Sequence, residues 1–100
     1  MAMPEIVQVA GMHYRIRTDD GERLQGLKLW GQTNHHKLEI YLREDIIPEQ
    51  CRAILLHEIV HCIEGVYQIN LEESQLNLIA TGLFEVIVSN PEVFRFIKGD

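Results

Sequence analysis

The sequence contains no run of basic residues, and its positive charges are few. Nine lysines and arginines stand against fifteen aspartates and glutamates, giving a net charge of −6 and an isoelectric point near 5.3. A nucleic-acid-binding protein normally carries a basic patch, because contacts with phosphate groups dominate its affinity. We therefore expect no nucleic-acid partner; a peptide or protein fits this acidic chain better.

Long apolar segments are also missing, since no run approaches the roughly 20 residues that a membrane-spanning helix needs. Residues 1–10 lack the basic start and apolar stretch of a secretory signal. The chain has only two cysteines, Cys51 and Cys62. On one helix they would lie three turns, roughly 16 Å, apart, which is too far for a disulfide. These absences favour a reducing cytoplasm and no contact with a membrane.

The chain shows no linker, internal repeat or low-complexity segment. Its 100 residues, 46% hydrophobic and 24% charged, fit one globular domain. A domain of this size buries a smaller fraction of its surface than a larger one does. A bound metal can therefore contribute to stability as well as to chemistry.

The first half of the chain shows β-type patterns. Apolar and polar residues alternate on either side of Gly11, which predicts two strands joined by a bend. Asp19-Asp20-Gly21 is a turn signal. The remaining predictions for this half are a strand at 27–30, a turn at 31–34 and a strand at 38–43 with Leu38, Ile40 and Leu42 on one face.

The second half shows helical spacing. A helix is predicted over 49–64, with Gly65 as its C-terminal stop, followed by a loop at 66–71. The second helix has a predicted core stripe of Leu76, Ile79, Leu83 and Ile87. Asn90-Pro91 ends that helix and begins a short one through Ile97. The expected fold is α+β, a small antiparallel sheet packed on two long antiparallel helices plus a short C-terminal helix.

The motif that carries chemistry is His57-Glu58-Ile59-Val60-His61, an H-E-x-x-H pattern. Two histidines at this spacing project from the same helix face, one turn from each other. Their ring nitrogens can therefore reach one tetrahedral zinc ion at about 2.0–2.1 Å. Glu58 points toward the open side of the ion, where a glutamate can take a proton from water that the metal activates.

Coincidence is the alternative explanation, because H-E-x-x-H also occurs in loops and on exposed faces. Here apolar residues at 54–56 and 59–60 surround the motif, so the helix would bury two histidines and a glutamate. Burying such groups without partners is costly, and a shared metal ion removes that cost. The sequence therefore favours a zinc site.

Zinc needs a third protein ligand, and a short connection places the start of the second helix beside His61. Glu72 and Glu73 lie there; we choose Glu73 and leave Glu72 open. Glu85 lies three turns further along and should miss the metal. Glu64 shares the histidine face, but three ligands in line on one helix cannot surround a tetrahedral ion, so a supporting or surface role fits it better.

Glu73 also has an explanation without metal. Asn70 as N-cap and Glu73 three residues later would form a capping box. Glu72 and Glu73 both suit the positive end of a helix dipole.

These residues resemble the small zinc metallopeptidases of the gluzincin type, especially the ImmA/IrrE-like and phage-encoded minimal members. The resemblance covers the second half of the chain and the strand before it. It rests on residues 55–61 and on segment 73–80, where Glu73, Asn77 and Ala80 match the family pattern and Leu76 and Ile79 depart from it. Glu73 follows His61 by only 12 residues, a shorter gap than in larger members, which keeps Glu72 open as the ligand.

The resemblance implies a single minimal zinc metallopeptidase domain. His57, His61 and Glu73 would be zinc ligands and Glu58 the general base. Asn77 would support a ligand histidine through a hydrogen bond.

The predicted function is hydrolysis of peptide bonds by zinc-activated water. The strand at 37–43 would be the sheet edge beside the site, to which an extended substrate could add. A second donor often stabilises the oxyanion in such sites; the unranked candidates are His35, His36, Tyr41 and Tyr67. Trp30 and Phe84 are interpreted as packing residues, and Cys62 points away from the ligand face.

Two other classes of function stay open at this point. One is a non-catalytic, zinc-stabilised protein-binding module of phage or mobile-element origin. The other is an interaction protein without metal, in which the motif is accidental.

Overall fold

The computed structural model describes residues 3–19 and 22–100 and has α+β architecture, as predicted. Within those residues the strands are β1 (Ile6–Val9), β2 (Met12–Asp19), β3 (Gly31–Asn34) and β4 (Glu39–Arg43). The helices are α1 (Glu22–Gly26), α2 (Pro48–Tyr67), α3 (Glu73–Ser89) and α4 (Pro91–Lys98). The two long helices and the short C-terminal helix are confirmed. No helix in this part of the chain combines the length and apolarity needed to cross a membrane.

The four strands form one sheet in the order β1-β2-β4-β3. β1–β2 and β3–β4 are antiparallel, but β2 and β4 are parallel, with Ile16 opposite Ile40. The sheet is therefore mixed, whereas an antiparallel one was expected. After β2 the chain passes to the far edge, forms β3, and only then returns as β4 beside β2. β3 is consequently the edge strand beside α2, and the expectation that segment 37–43 forms this edge is wrong because β4 lies inside the sheet.

The β1–β2 hairpin follows directly from its sequence. Ala10 (φ 50°) and Gly11 (φ 81°) are both in the left-handed region, as a two-residue type I′ turn requires. The alternation then places Tyr14 and Ile16 on the inner face, where both are buried. The predicted pair of strands with a bend is confirmed. Of the next predicted turn, Asp20 and Gly21 lie outside the described residues.

The segment between β2 and β4 differs from its prediction. Residues 22–26 form α1, anchored by the fully buried Leu24, and 27–30 do not form a strand. Residues 31–34, predicted as a turn, are β3, and the turn falls at 35–38. Gly31 is a glycine because α2 approaches closely: a Cβ there would lie 2.9 Å from Cγ2 of Ile54. Its presence therefore marks a contact and not a turn.

α2 does not stop at Gly65. It continues to Tyr67 and ends at Gln68, which adopts the left-handed conformation (φ 55°) and donates its N–H to the Glu64 carbonyl. Gly65 accommodates the ring of His35, with which a Cβ added at this position would overlap. His35 Nδ1 is also 3.2 Å from the hydroxyl of the buried Tyr14. The glycine thus lets the β3–β4 turn close onto the helix.

α2 lies between the sheet and α3. On one side its Cys62 joins the inner face of the sheet, and on the other its Val60 packs against Leu76 and Ala80 of α3. The predicted stripe on α3 is only partly correct, since Ile79 and Leu83 are 48% and 37% exposed. The buried face instead runs through Leu76 and Ala80, which are the α3 residues that pack against Val60 of α2.

The contact between Gly65 and His35 can be tested by substitution. Gly65→Ala should lower the free energy of unfolding by about 1–3 kcal/mol, because the ring must move and lose its hydrogen bond with Tyr14. Gly82→Ala is the matched control in α3, where nothing lies within 4 Å of an added Cβ. It should be neutral or stabilising by up to about 1 kcal/mol. Equal stability of the two variants in urea unfolding would contradict the contact.

Candidate metal centre

The α2–α3 connection brings the three predicted ligand residues together. His57 and His61 lie one turn apart on α2, with ring centroids 5.1 Å apart. Glu73 is the first residue of α3. Its Oε1 is 3.2 Å from His57 Nε2, and its Oε2 is 3.5 Å from His61 Nε2. The structure thus places these three side chains as the motif spacing suggested.

The donor set fits a tetrahedral zinc ion. One atom from each of the three residues can be chosen so that all lie within 4.8 Å of one another. Zinc bonds of 2.0–2.1 Å at tetrahedral angles place neighbouring ligand atoms about 3.3 Å apart. The distances from His57 Nε2 to Glu73 Oε1 and from His61 Nε2 to Glu73 Oε2, 3.2 and 3.5 Å, are close to that value, with one carboxylate oxygen beside each ring. Two imidazoles and one carboxylate leave a fourth position for water or substrate.

The structure distinguishes Glu72 from Glu73 as the candidate third ligand. Glu72 is the N-cap of α3, where its side chain accepts the N–H of Gln75 and the Gln75 side chain accepts that of Glu72. The predicted capping box of Asn70 and Glu73 is therefore replaced by one of Glu72 and Gln75. Glu73 remains available to the histidines, with a side chain 70% exposed. Glu85 hydrogen-bonds Ser89 and does not line the site.

Glu64 connects the histidine face to the loop before α3. Its Oε1 lies 3.2 Å from Nδ1 of His61, and its Oε2 accepts the N–H of Leu71 at 2.8 Å. Its carbonyl oxygen also accepts the N–H of Ile69 at 2.9 Å. A carboxylate on Nδ1 leaves Nε2 of the imidazole to face Glu73, and such partners fix the orientation of ligand histidines. Glu64 therefore has the supporting position expected for it.

Glu58 is the one buried charged residue among the described residues, at 5% exposure. Its Oε1 accepts a hydrogen bond of 2.8 Å from the Thr33 hydroxyl on β3. Burial raises the pKa of the Glu58 carboxyl, while the Thr33 hydrogen bond and the neighbouring histidines oppose that rise. A raised pKa makes the carboxylate a better proton acceptor.

A cleft of about 720 Å³ contains the three candidate ligand residues and Glu58. Its walls come from the segment at 28–33, from α2 and from α3. Trp30 and Phe84, interpreted from the sequence as packing residues, also line it; nothing in their sequence context distinguishes a cleft wall from a core. Asn77 also lines the cleft, but it forms no hydrogen bond with either histidine in the described chain.

The four candidate oxyanion donors differ in whether they line the cleft. Only His35 of the four lines the cleft, held by Tyr14 and by the close approach of Gly65. His36 is exposed in the adjoining turn. Tyr41 donates its hydroxyl to Glu39 at 2.5 Å, and Tyr67 is 62% exposed near the end of α2.

The cysteines take no part in the cluster. Both are free, so the predicted absence of a disulfide holds. Cys62 adjoins His61 in sequence but is fully buried against the sheet. Burial raises the pKa of its thiol to about 12. Since the thiolate is the form that binds metal, this residue is unsuited as a ligand.

No family model, curated protein or solved structure matches this chain. The assignment of a function therefore depends on the geometry of the cleft and on the residues within it.

The role of Glu64 leads to a test on metal affinity. Glu64→Gln leaves one acceptor oxygen where two donors, His61 and Leu71, now bind. For zinc held by the cluster we expect affinity to fall about 10–100-fold, measured by competition with a chromophoric chelator. Glu85→Gln makes the same charge change away from the cleft and should have no effect. Unchanged affinity in Glu64→Gln would show that His61 is oriented without this carboxylate.

Proposed function

We propose that this protein is a zinc-dependent metallopeptidase of the gluzincin type that hydrolyses peptide bonds. His57, His61 and Glu73 hold the zinc, and Glu58 is the general base. The observation that supports this best is the buried Glu58 carboxylate in the same cleft as the three ligand residues. A purely structural metal site would need no fourth, acidic group beside it.

Glu58, Thr33 and Glu64 each have a task in this reaction. Zinc supplies Lewis acidity, which lowers the pKa of water and polarises a carbonyl group. Glu58 accepts the proton from the attacking water and passes it to the leaving amine, and its raised pKa favours the first of these transfers. Thr33 holds one carboxylate oxygen and thereby orients the other. Glu64 keeps the His61 ring fixed while the charge at the site changes.

The edge of β3 offers a place for the substrate backbone. The Arg43 N–H bonds the Trp30 carbonyl, and antiparallel pairs alternate between bonded and non-bonded. Trp30 and Arg43 therefore form a bonded pair, and the pairs Gly31–Leu42 and Thr33–Ile40 are non-bonded. The N–H and C=O groups of Gly31 and Thr33 consequently point away from β4. An extended peptide can pair with them as an added strand. His35, just beyond this edge, is our choice for the oxyanion donor.

A second candidate, the non-catalytic zinc-stabilised binding module, has one observation in its favour. Apolar side chains remain exposed on α3 and α4, among them Leu78 at 73%, Val88 at 63% and Phe96 at 84%. Exposed apolar surface of this kind often marks contacts between proteins. In such a module zinc would hold α3 against α2, and Glu58 would have no catalytic task.

Metal content is the first test of the proposal. Protein purified without added metal should contain about one zinc per chain, as a three-residue site with an open position predicts. His57→Ala removes a ligand and should lose the metal. His36→Ala removes an exposed histidine outside the cleft and should keep it. Elemental analysis compares the three. A folded wild-type chain that neither contains nor takes up zinc would leave the motif as coincidence.

Catalysis is tested at Glu58. In Glu58→Gln the amide oxygen can still accept the Thr33 hydrogen bond, so zinc should be retained, while turnover falls about 10²- to 10⁴-fold through loss of the base. Mass spectrometry of a peptide library incubated with each protein measures the cleavage, with Glu85→Gln as the control of equal charge. Hydrolysis by Glu58→Gln at the wild-type rate would refute its role. A zinc-loaded wild type that cleaves nothing would favour the binding module.

A further inference from the structure

Apolar side chains that face solvent are concentrated near the C-terminal end of the chain. Among the described residues, eight of the seventeen exposed large hydrophobic residues lie on α3 and α4, which together make up a quarter of the chain. They are Leu78, Ile79, Leu83, Val86, Val88, Val93, Phe96 and Ile97. Between residues 74 and 91 the only charged residue is Glu85, although the whole chain has a net charge of −6. A single copy of the chain therefore exposes an apolar surface with very little charge.

The sides of α3 differ in what they contact. Asn77 and Phe84 line the cleft. Leu76 and Ala80 pack on α2. Because each residue advances about 100° around a helix, a third side of α3 points away from both. It consists of five exposed residues, which we call the outward face of α3: Gln75, Leu78, Ile79, Gly82 and Val86. Since this face lies opposite the residues that line the cleft, a partner bound there would leave the cleft open.

Gly82 lies at the centre of the outward face and has no packing reason within one chain. A Cβ added there would meet no described atom within 4 Å, whereas at Gly31 and Gly65 a neighbouring side chain occupies that space. Glycine in the interior of a helix costs about 1 kcal/mol relative to alanine. What glycine offers on an exposed face is room for another backbone to approach closely. Gly82 therefore indicates that a second helix crosses α3 at this point.

The order of residues around Gly82 fits a second copy of α3. In a two-fold symmetric contact one surface must be complementary to itself, so that residue i contacts j while j contacts i. Leu78 and Ile79 lie one turn before Gly82, and Val86 lies one turn after it. Where two copies of α3 cross in opposite directions at Gly82, the residues before it on one copy meet Val86 on the other. The scarcity of charge on this face also matches the depletion of charged residues at the centres of protein interfaces.

The exposed apolar area is large enough for a dimer. Val93, Phe96 and Ile97 are exposed on one side of α4, so this helix can extend the contact. With Leu83 and the apolar residues of the outward face, their exposed fractions add up to about four whole side chains. At about 150–250 Å² per large side chain this amounts to roughly 600–1,000 Å² per chain, and an interface of standard size buries about 800 Å² per partner.

We propose that two copies of this chain form a symmetric dimer in which the outward faces of α3 cross at Gly82 and α4 extends the contact. The dimer does not depend on the proposed peptidase function, because its interface and the cleft lie on opposite sides of α3. It is equally compatible with a binding module that keeps zinc for stability.

Molar mass in solution tests the dimer. Sedimentation equilibrium of the full chain, from low micromolar to near-millimolar concentration, should show reversible conversion from 11.6 kDa to twice that mass. The mass of one chain at every concentration overturns the proposal. A mass that continues to rise beyond two chains overturns it too, because a two-fold contact is complete with two copies.

Two variants locate the interface. Leu78→Glu places a charge on the outward face at a position that is 73% exposed, and Gly82→Leu fills the space at the crossing, where its own chain offers no described neighbour. Each should raise the dissociation constant of the dimer at least about tenfold, since central interface positions carry most of the binding energy. Ile47→Glu is the matched control, because Ile47 is 65% exposed and precedes α2, outside α3 and α4. It should keep the wild-type constant. Thermal unfolding of dilute protein shows that each variant folds.

Gly82→Ala provides a second readout, in which the two effects have opposite signs. In dilute, monomeric protein the substitution should be neutral or stabilising, as helix propensity requires. In the dimer the added methyl groups separate the two helices and should raise the dissociation constant at least about fivefold. A Gly82→Ala variant that dimerises as tightly as wild type overturns the crossing at Gly82. A dimer that persists unchanged in both Leu78→Glu and Gly82→Leu has a different interface and overturns the proposal as well.

Discussion

Helix α2 lies between the sheet and α3, and one of its faces is polar. The need to pair the groups on this face constrains the rest of the structure. α2 packs on the sheet through Cys62 and on α3 through Val60, yet it carries two histidines and a glutamate. Glu58 is buried and the two histidines are partly buried, and a buried polar group without a partner costs about 2–7 kcal/mol even when it is neutral. Their partners come from three elements: Thr33 on β3 for Glu58, Glu64 on α2 for His61, and Glu73 on α3 for both rings. Because these partners lie on β3 and α3, the hydrogen bonds of one face of α2 depend on the positions of β3 and α3 relative to α2.

The features that could be predicted from the sequence are those that short-range patterns encode. Helical spacing after Pro48 gave both long helices, and alternation around Gly11 gave the first hairpin. The H-E-x-x-H spacing is a property of any helix, so His57 and His61 had to share a face. The short connection limited the candidates for a third ligand to the first turn of α3, and only the cap at Glu72, visible in three dimensions, favoured Glu73.

The features that were missed depend on contacts between distant residues. Parallel pairing of β2 with β4 joins segments more than twenty residues apart, and no local pattern specifies it. Gly31 and Gly65 were interpreted as a turn and a helix stop, because glycine serves those purposes most often. Both are instead places where another side chain comes too close for a Cβ. Trp30 and Phe84 look like core residues in sequence, and only the arrangement of α3 shows that they line a cleft.

A chain of 100 residues has few elements that can form the walls of a cleft. In this protein α3 contributes to both the core and the cleft. One face supplies Leu76 and Ala80 to a small core, an adjacent face supplies Glu73 and Phe84 to the cleft, and the remainder stays in solvent, with Leu78 73% exposed. So small a core fixes the helix weakly, and the proposed metal, shared with α2, would add to its docking, because binding free energy at such a site is also folding free energy. Because Glu73 and Phe84 lie on the same helix and both line the cleft, the proposed function gives α3 two linked tasks, to hold the metal and to form a wall of the cleft.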